Sequence, residues 1–134
     1  MTKFGSGARV SIDGFESLLA LYRLSLKDSR QRVRRQWDVL SAADDVTQDH
    51  DPTVNDLRSL LHKLAGSAGS YGFDALGDHA RALERYWIAW LANNPRRRPT
   101  VAQACRSLDA NYQRLLKMLD DAIQIASQAS ESQE

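Results

Sequence analysis

Apolar residues return every three or four positions along almost the whole chain, and no run alternates apolar with polar as a half-buried strand would. That period confines the fold to helices, each burying one stripe. Only three prolines interrupt it, Pro52, Pro95 and Pro99, all in polar stretches. With 134 residues the chain is the length of one ordinary domain.

Four stripes can be read. The first runs from about Asp13 to Ala43 through Phe15, Leu19, Tyr22, Leu26, Val33, Trp37 and Leu40, with Asp13 and Glu16 spaced like a capping box. The second starts at Thr53 as N-cap, carries Leu57, Leu61, Leu64 and Ala68, and stops at Gly72, a residue suited to the left-handed position past a helix end. Asp74 caps the third, whose stripe is Leu76, Ala80, Leu83, Trp87 and Trp90. Thr100 and Gln103 open the fourth, which continues through Val101, Leu108, Tyr112, Leu115, Leu119 and Ala126. Short loops make consecutive helices antiparallel. The expected fold is therefore all-α: an antiparallel, up-and-down four-helix bundle over 13–127, its first segment open to division into a short extra N-terminal helix and a longer one. A flexible arm over 1–12 and a disordered polar tail over 128–134 flank it.

Composition narrows the function. Apolar residues are 43% and charged residues 26%, as in soluble globular domains. The net charge of +1 disfavours a dedicated nucleic-acid binder. One cysteine, Cys105, excludes an internal disulfide and points to a reducing compartment. No secretory signal and no stretch of about 18 apolar residues is present. A cytoplasmic protein is expected.

"LLHKLAGSAGSYGF" (60–73) holds the one feature that packing does not account for. His62 lies at the edge of the second helix's polar face, and the turns after it carry Ala65, Gly66 and Gly69. A glycine inside a helix costs about 1 kcal/mol relative to alanine. Close helix packing would justify that cost, but Gly66 and Gly69 lie away from the apolar stripe. Access to the imidazole justifies it better. A neutral imidazole is a good nucleophile at neutral pH, and phosphoryl transfer needs in-line approach and charge neutralisation above all. Lys63 and Arg58 are placed to neutralise phosphate charge. Antiparallel pairing of Leu64 with Leu83 and of Leu61 with Trp87 sets His62 level with Arg85 and Tyr86, which adds Arg85 as a further phosphate neighbour.

"LLHKLAGSAGSYGFDALGDHARALE" resembles the core of histidine-containing phosphotransfer (HPt) domains. The shared positions are His62, Leu64, Gly66, Ser67, Ala68 and Gly72, then Leu76, Ala80, Leu83 and Glu84 in the following helix. Ala65 departs from the pattern, since lysine is common there; Lys63 is the candidate replacement. The resemblance implies a four-helix bundle whose exposed His62 is phosphorylated at Nε2 and exchanges phosphate with an aspartate of receiver domains. Those receivers would belong to a hybrid sensor histidine kinase and to a response regulator, and would supply Mg²⁺ and the catalysis. The chain itself would be a phosphocarrier rather than an enzyme, monomeric, without cofactor or metal. Ser59, Ala65, Gly66, Ser67, Gly69 and Ser70 would form or flank the docking surface.

The remaining candidates read as structural. His79 sits at the core edge, His50 in a polar loop, and Cys105 beside the fourth stripe as a small hydrophobe. Trp87 and Trp90 read as core. "RQRVRR" (30–35) and "RRR" (96–98) read as solvated surface or as steering for an acidic partner; stacking aromatics, which a single-strand binder would interleave, are missing. The rival functions are an adaptor bundle that binds receivers or another signalling enzyme without carrying phosphate, and a basic-patch nucleic-acid binder.

Overall fold

The structure is a computed structural model that describes residues 2–43 and 49–132, with side chains over 14–43 and 49–128. Four helices are present among the described residues: α1 (Thr2–Ser41), α2 (Asp51–Ser70), α3 (Asp74–Ala92) and α4 (Val101–Ser132). They form a four-helix bundle in which α2 packs chiefly on α3 and α1 on α4, while α1 also contacts α2. The α1–α4 pair is antiparallel: Trp37 stacks on Tyr112 with ring centroids 3.9 Å apart, and Arg30 pairs with Asp120 at 2.6 Å.

The stripes read from the sequence form one core. Leu26, Val33, Leu40, Leu57, Leu61, Trp87, Leu115 and Leu119 are all but inaccessible to solvent. Cys105 joins them, and Trp90 is buried as well. Buried Trp87 donates its Nε1–H to the Tyr112 hydroxyl at 2.9 Å, so the largest core side chain leaves no orphan donor. Burial pushes the Tyr112 phenol far above its ordinary value. His79 is structural too, its Nε2–H donating to the Asn111 carbonyl at 2.8 Å.

Helix ends follow local chemistry, with some corrections. Gly72 takes φ +86°. The Gly72 N–H returns to the Gly69 carbonyl and the Phe73 N–H to that of Ala68, which together make a Schellman motif. Thr100 and Gln103 cap each other reciprocally at 2.9 and 3.1 Å. Helix α2 starts at Asp51, ahead of the expected Thr53, with Pro52 in its first turn. Proline lacks an N–H that the first turn could not bond anyway, and the Asp49 carboxylate takes the Asp51 N–H at 3.0 Å. Asp74 lies in the first turn of α3 and makes no capping bond; its charge there complements the helix dipole.

Helix α1 is continuous from Thr2, so Asp13 is interior and the segment read as an arm is helical from Thr2 on. No proline interrupts the N–H ladder there. Met1 lies outside the described residues, as do residues 44–48 of the expected α1–α2 loop. Helix α4 runs to Ser132, through most of the stretch read as a disordered tail, and residues 133–134 lie outside the described residues. Polar composition reports hydration, which suits an exposed helical turn as well as a coil. Phe15, read as core, is 46% exposed. Tyr22 already meets Tyr71 and Phe73 at the α2–α3 turn, and Phe15 lies two turns beyond them.

Arg98 corrects the reading of 96–98 as mere surface. It pairs with Asp51 at 2.5 Å and lies 3.6 Å over the Trp90 ring, while Trp90 Nε1 donates to the Pro99 carbonyl at 2.9 Å. The α3–α4 loop is thereby tied to the start of α2.

Gly77 sets the α2–α3 distance. A β-carbon placed on it would lie 3.1 Å from the Ala65 carbonyl oxygen and 3.6 Å from the Ala68 β-carbon. Backbone on a packed helix yields little, so a branched side chain must push α3 away. Gly77→Val is expected to destabilise the fold by about 2 kcal/mol. Chemical denaturation reads this directly, and an unchanged midpoint would show that the bundle does not depend on the close approach.

Candidate functional site

Helix α2 presents His62 outward while its opposite face is held by Leu57, Leu61, Leu64 and Ala68. The His62 side chain is 70% exposed. Its ring is nonetheless fixed on one edge: Nδ1 lies 2.7 Å from Glu84 Oε2 on α3. A carboxylate only accepts hydrogen bonds, so Nδ1 carries the proton of this bond, and in the neutral ring the lone pair is then on Nε2. Glu84 is the buried charged residue of the described core, its side chain 9% exposed. A buried carboxylate is tolerated when it is paired, and Arg58 Nη1 stands 3.9 Å from the same Oε2. Arg58 in turn donates from Nε to Asn55 Oδ1 at 3.0 Å.

The face around Nε2 is open. Nothing lies within 4 Å of a β-carbon built at Gly66 or Gly69. Ser70 is exposed and turns its hydroxyl back to the Gly66 carbonyl at 3.3 Å. Ser59, one turn before Lys63, borders this face and the groove between α1 and α2.

Other expected members fall elsewhere. Ala65 is buried against α3, because the Gly77 approach covers it. Ser67 faces α1, hydrogen-bonding the Tyr22 hydroxyl at 3.0 Å and the Leu64 carbonyl at 3.3 Å, so it joins helices and is not part of the open face. Lys63 is exposed but turns into the α1–α2 groove beside Arg32 and Arg35, because one residue along a helix rotates a side chain by about 100°. Arg85 is exposed on α3 and makes no ion pair among the described residues. The α3 residue that reaches His62 is Glu84, one position before the expected Arg85. Its signal was present as the glutamate after Leu83, an acid at the edge of an apolar stripe.

No group of three or more metal-ligating side chains is gathered among the described residues, the vicinity of His50 included. No helix among them is long and apolar enough to cross a membrane.

His62 is thus an exposed histidine with one nitrogen bonded to a buried acid, beside turns that carry no bulky side chain. The Hpt domain family model matches residues 17–126, which spans the bundle and both helices that hold His62 and Glu84. The chain therefore belongs to the Hpt domain family, and phosphotransfer in two-component signalling is its general field. No curated protein and no solved structure matches the chain.

Glu84→Ala removes the acceptor that selects the Nδ1–H form. Long-range proton–nitrogen NMR of His62 is expected to show a single Nδ1–H tautomer in the native protein and a mixture in the variant. The same tautomer ratio in both would mean that Glu84 does not orient the ring.

Proposed function

We propose that this protein is a phosphorelay intermediate. His62 Nε2 takes a phosphoryl group from the aspartyl phosphate of one receiver domain, that of a hybrid sensor histidine kinase. It then passes the group to the aspartate of a second receiver, that of a response regulator. The observation that carries the reading is the Nδ1–H···Glu84 bond behind a side chain that is 70% exposed.

In the transfer, the Nε2 lone pair attacks phosphorus and the P–O bond to the aspartate breaks, its electrons leaving with the carboxylate. The ring gains a positive charge and keeps its Nδ1 proton, so no proton needs to leave. Glu84 sits where that charge develops, which favours the phosphorylated ring electrostatically. Glycines at 66 and 69 let the partner's active-site loops come within reach for in-line attack. Ser59 and Ser70 flank the approach, and Ile88, one turn past Glu84 and 45% exposed, offers an apolar contact beside it. Mg²⁺ and the remaining catalytic groups belong to the receiver. The chain acts as a monomeric carrier without a cofactor, in the cytoplasm where receivers and regulators meet.

Incubation with a phosphorylated receiver domain tests this. The native chain should acquire an acid-labile, base-stable phosphoryl group, and His62→Gln should acquire none. Equal labelling of His62→Gln defeats the proposal; binding of both chains without labelling of either makes the protein an adaptor.

Gly66→Ala separates folding from access. It is expected to raise stability by up to about 1 kcal/mol, because the helix gains and nothing is met. Transfer from the receiver should slow at the same time. A melting curve with a single-turnover assay reads both; a more stable variant that transfers at the native rate would remove access as the reason for the glycine.

A further inference from the structure

A phosphoryl group on Nε2 brings on the order of two negative charges to a face where the family's common lysine position is Ala65, a buried residue. Three cations are candidates to meet it. Lys63 lines the α1–α2 groove with Arg32 and Arg35. Arg85 is exposed on α3 with no link to His62. Arg58 differs from both. It lies one turn before His62, and its guanidinium approaches the very oxygen, Glu84 Oε2, that accepts the His62 proton. It also stands seven residues before Ala65, two helical turns, so the two positions point in nearly the same direction from α2.

We infer that Arg58 is the phosphate-binding cation of this site, and that phosphorylation of His62 moves its guanidinium from Glu84 to the phosphoryl oxygens. The inference rests on the reading of His62 as the acceptor. In the free protein Glu84 is buried and draws on both His62 and Arg58. The 3.9 Å separation from Arg58 is longer than a hydrogen bond, so little is lost when the guanidinium leaves. Once phosphorylated, the ring is cationic and its Nδ1–H balances Glu84 alone. The doubly charged phosphoryl group then becomes the stronger attractor, and the planar guanidinium can bind two of its oxygens at once. Asn55 accepts from Arg58 Nε at 3.0 Å, a bond to the side chain's near end that leaves the terminal nitrogens free to turn. Arg58 thus supplies from the preceding turn the charge that a lysine three residues after the histidine would supply from the following one. Free and phosphorylated forms present different charge to a partner on the same face.

The test uses the full chain with native and variant His62 environments. Phosphoramidate serves as a small phosphodonor, and a purified receiver domain as the partner in equilibrium. Arg58→Gln should shift the phosphoryl partition about tenfold toward the receiver, the loss of a charge-assisted hydrogen bond. Arg58→Lys should recover part of the shift. Lys63→Gln and Arg85→Gln should partition as the native chain does. In NMR of the phosphoramidate-treated native protein, the Arg58 Nε–H signal should move with those of His62 and Glu84, while the side-chain signals of Lys63 and Arg85 stay. A native partition for Arg58→Gln, or a loss that follows Lys63 or Arg85 instead, overturns the assignment while leaving His62 as acceptor. If the native chain takes no phosphoryl group from either donor, the acceptor reading falls and this inference with it.

Discussion

The contact of Gly77 with the backbone of α2 governs the geometry around His62. With no side chain between them, α3 lies against the Ala65 carbonyl. Glu84 stands seven residues after Gly77, two turns along the same line of α3, and that line faces α2. The closeness won at Gly77 therefore carries Glu84 to 2.7 Å from His62. It also buries Ala65 and leaves Glu84 with little water, so that its charge acts on His62 and Arg58 at short range. A wider helix pair would leave an exposed histidine free to rotate, with no defined nucleophilic edge.

The bundle supplies position more than chemistry. One flank of α2 is locked by leucines, one nitrogen of the imidazole by an acid, and the other nitrogen is left to solvent. Mounting the group on a packed helix holds it to the tolerances that a loop would not. The bare turns after His62 perform a different task, since Gly66 and Gly69 touch nothing that a side chain would displace. Gly77, by contrast, is required by packing. Glycines in neighbouring helices of one hairpin thus differ: one lets two helices approach, and two leave the surface beside His62 bare.

Much of this was legible in the sequence. The 3.6-residue stripes located the four helices and the core, because burial of one face is a local pattern repeated along the chain. Gly72 and the Thr100–Gln103 pair declared their caps, since those bonds are made within a few residues. His62 was legible because costly glycines around it had no packing reason. The site's second half was legible only in part: Glu84 stood among the shared positions of the resemblance, but nothing in its spacing gave it a role at His62. Aligning Leu64 with Leu83 put Arg85 opposite His62, whereas the actual register brings Glu84 there. A shift of one residue turns a helix by about 100°, enough to exchange an exposed arginine for a buried acid. Ser67 and Ala65 were misplaced for the same reason: whether a small residue on α2 meets solvent, α1 or α3 depends on where the neighbours lie. Arg98, read as surface, became a tie because Asp51 and Trp90 converge on it from two other elements.

Sequence alone determined that this chain forms four amphipathic helices and that its single unexplained histidine lies on an uncluttered polar face. Both follow from spacing along one helix, and helix geometry converts spacing into direction without reference to any other part of the chain. Only the tertiary structure decided what stands behind that histidine. The Glu84 bond, the approach of Arg58 and the turning of Lys63 toward α1 depend on the distance and axial register between helices. Those are set by how side chains and one missing β-carbon interlock across the interface, which no periodicity within a single helix contains.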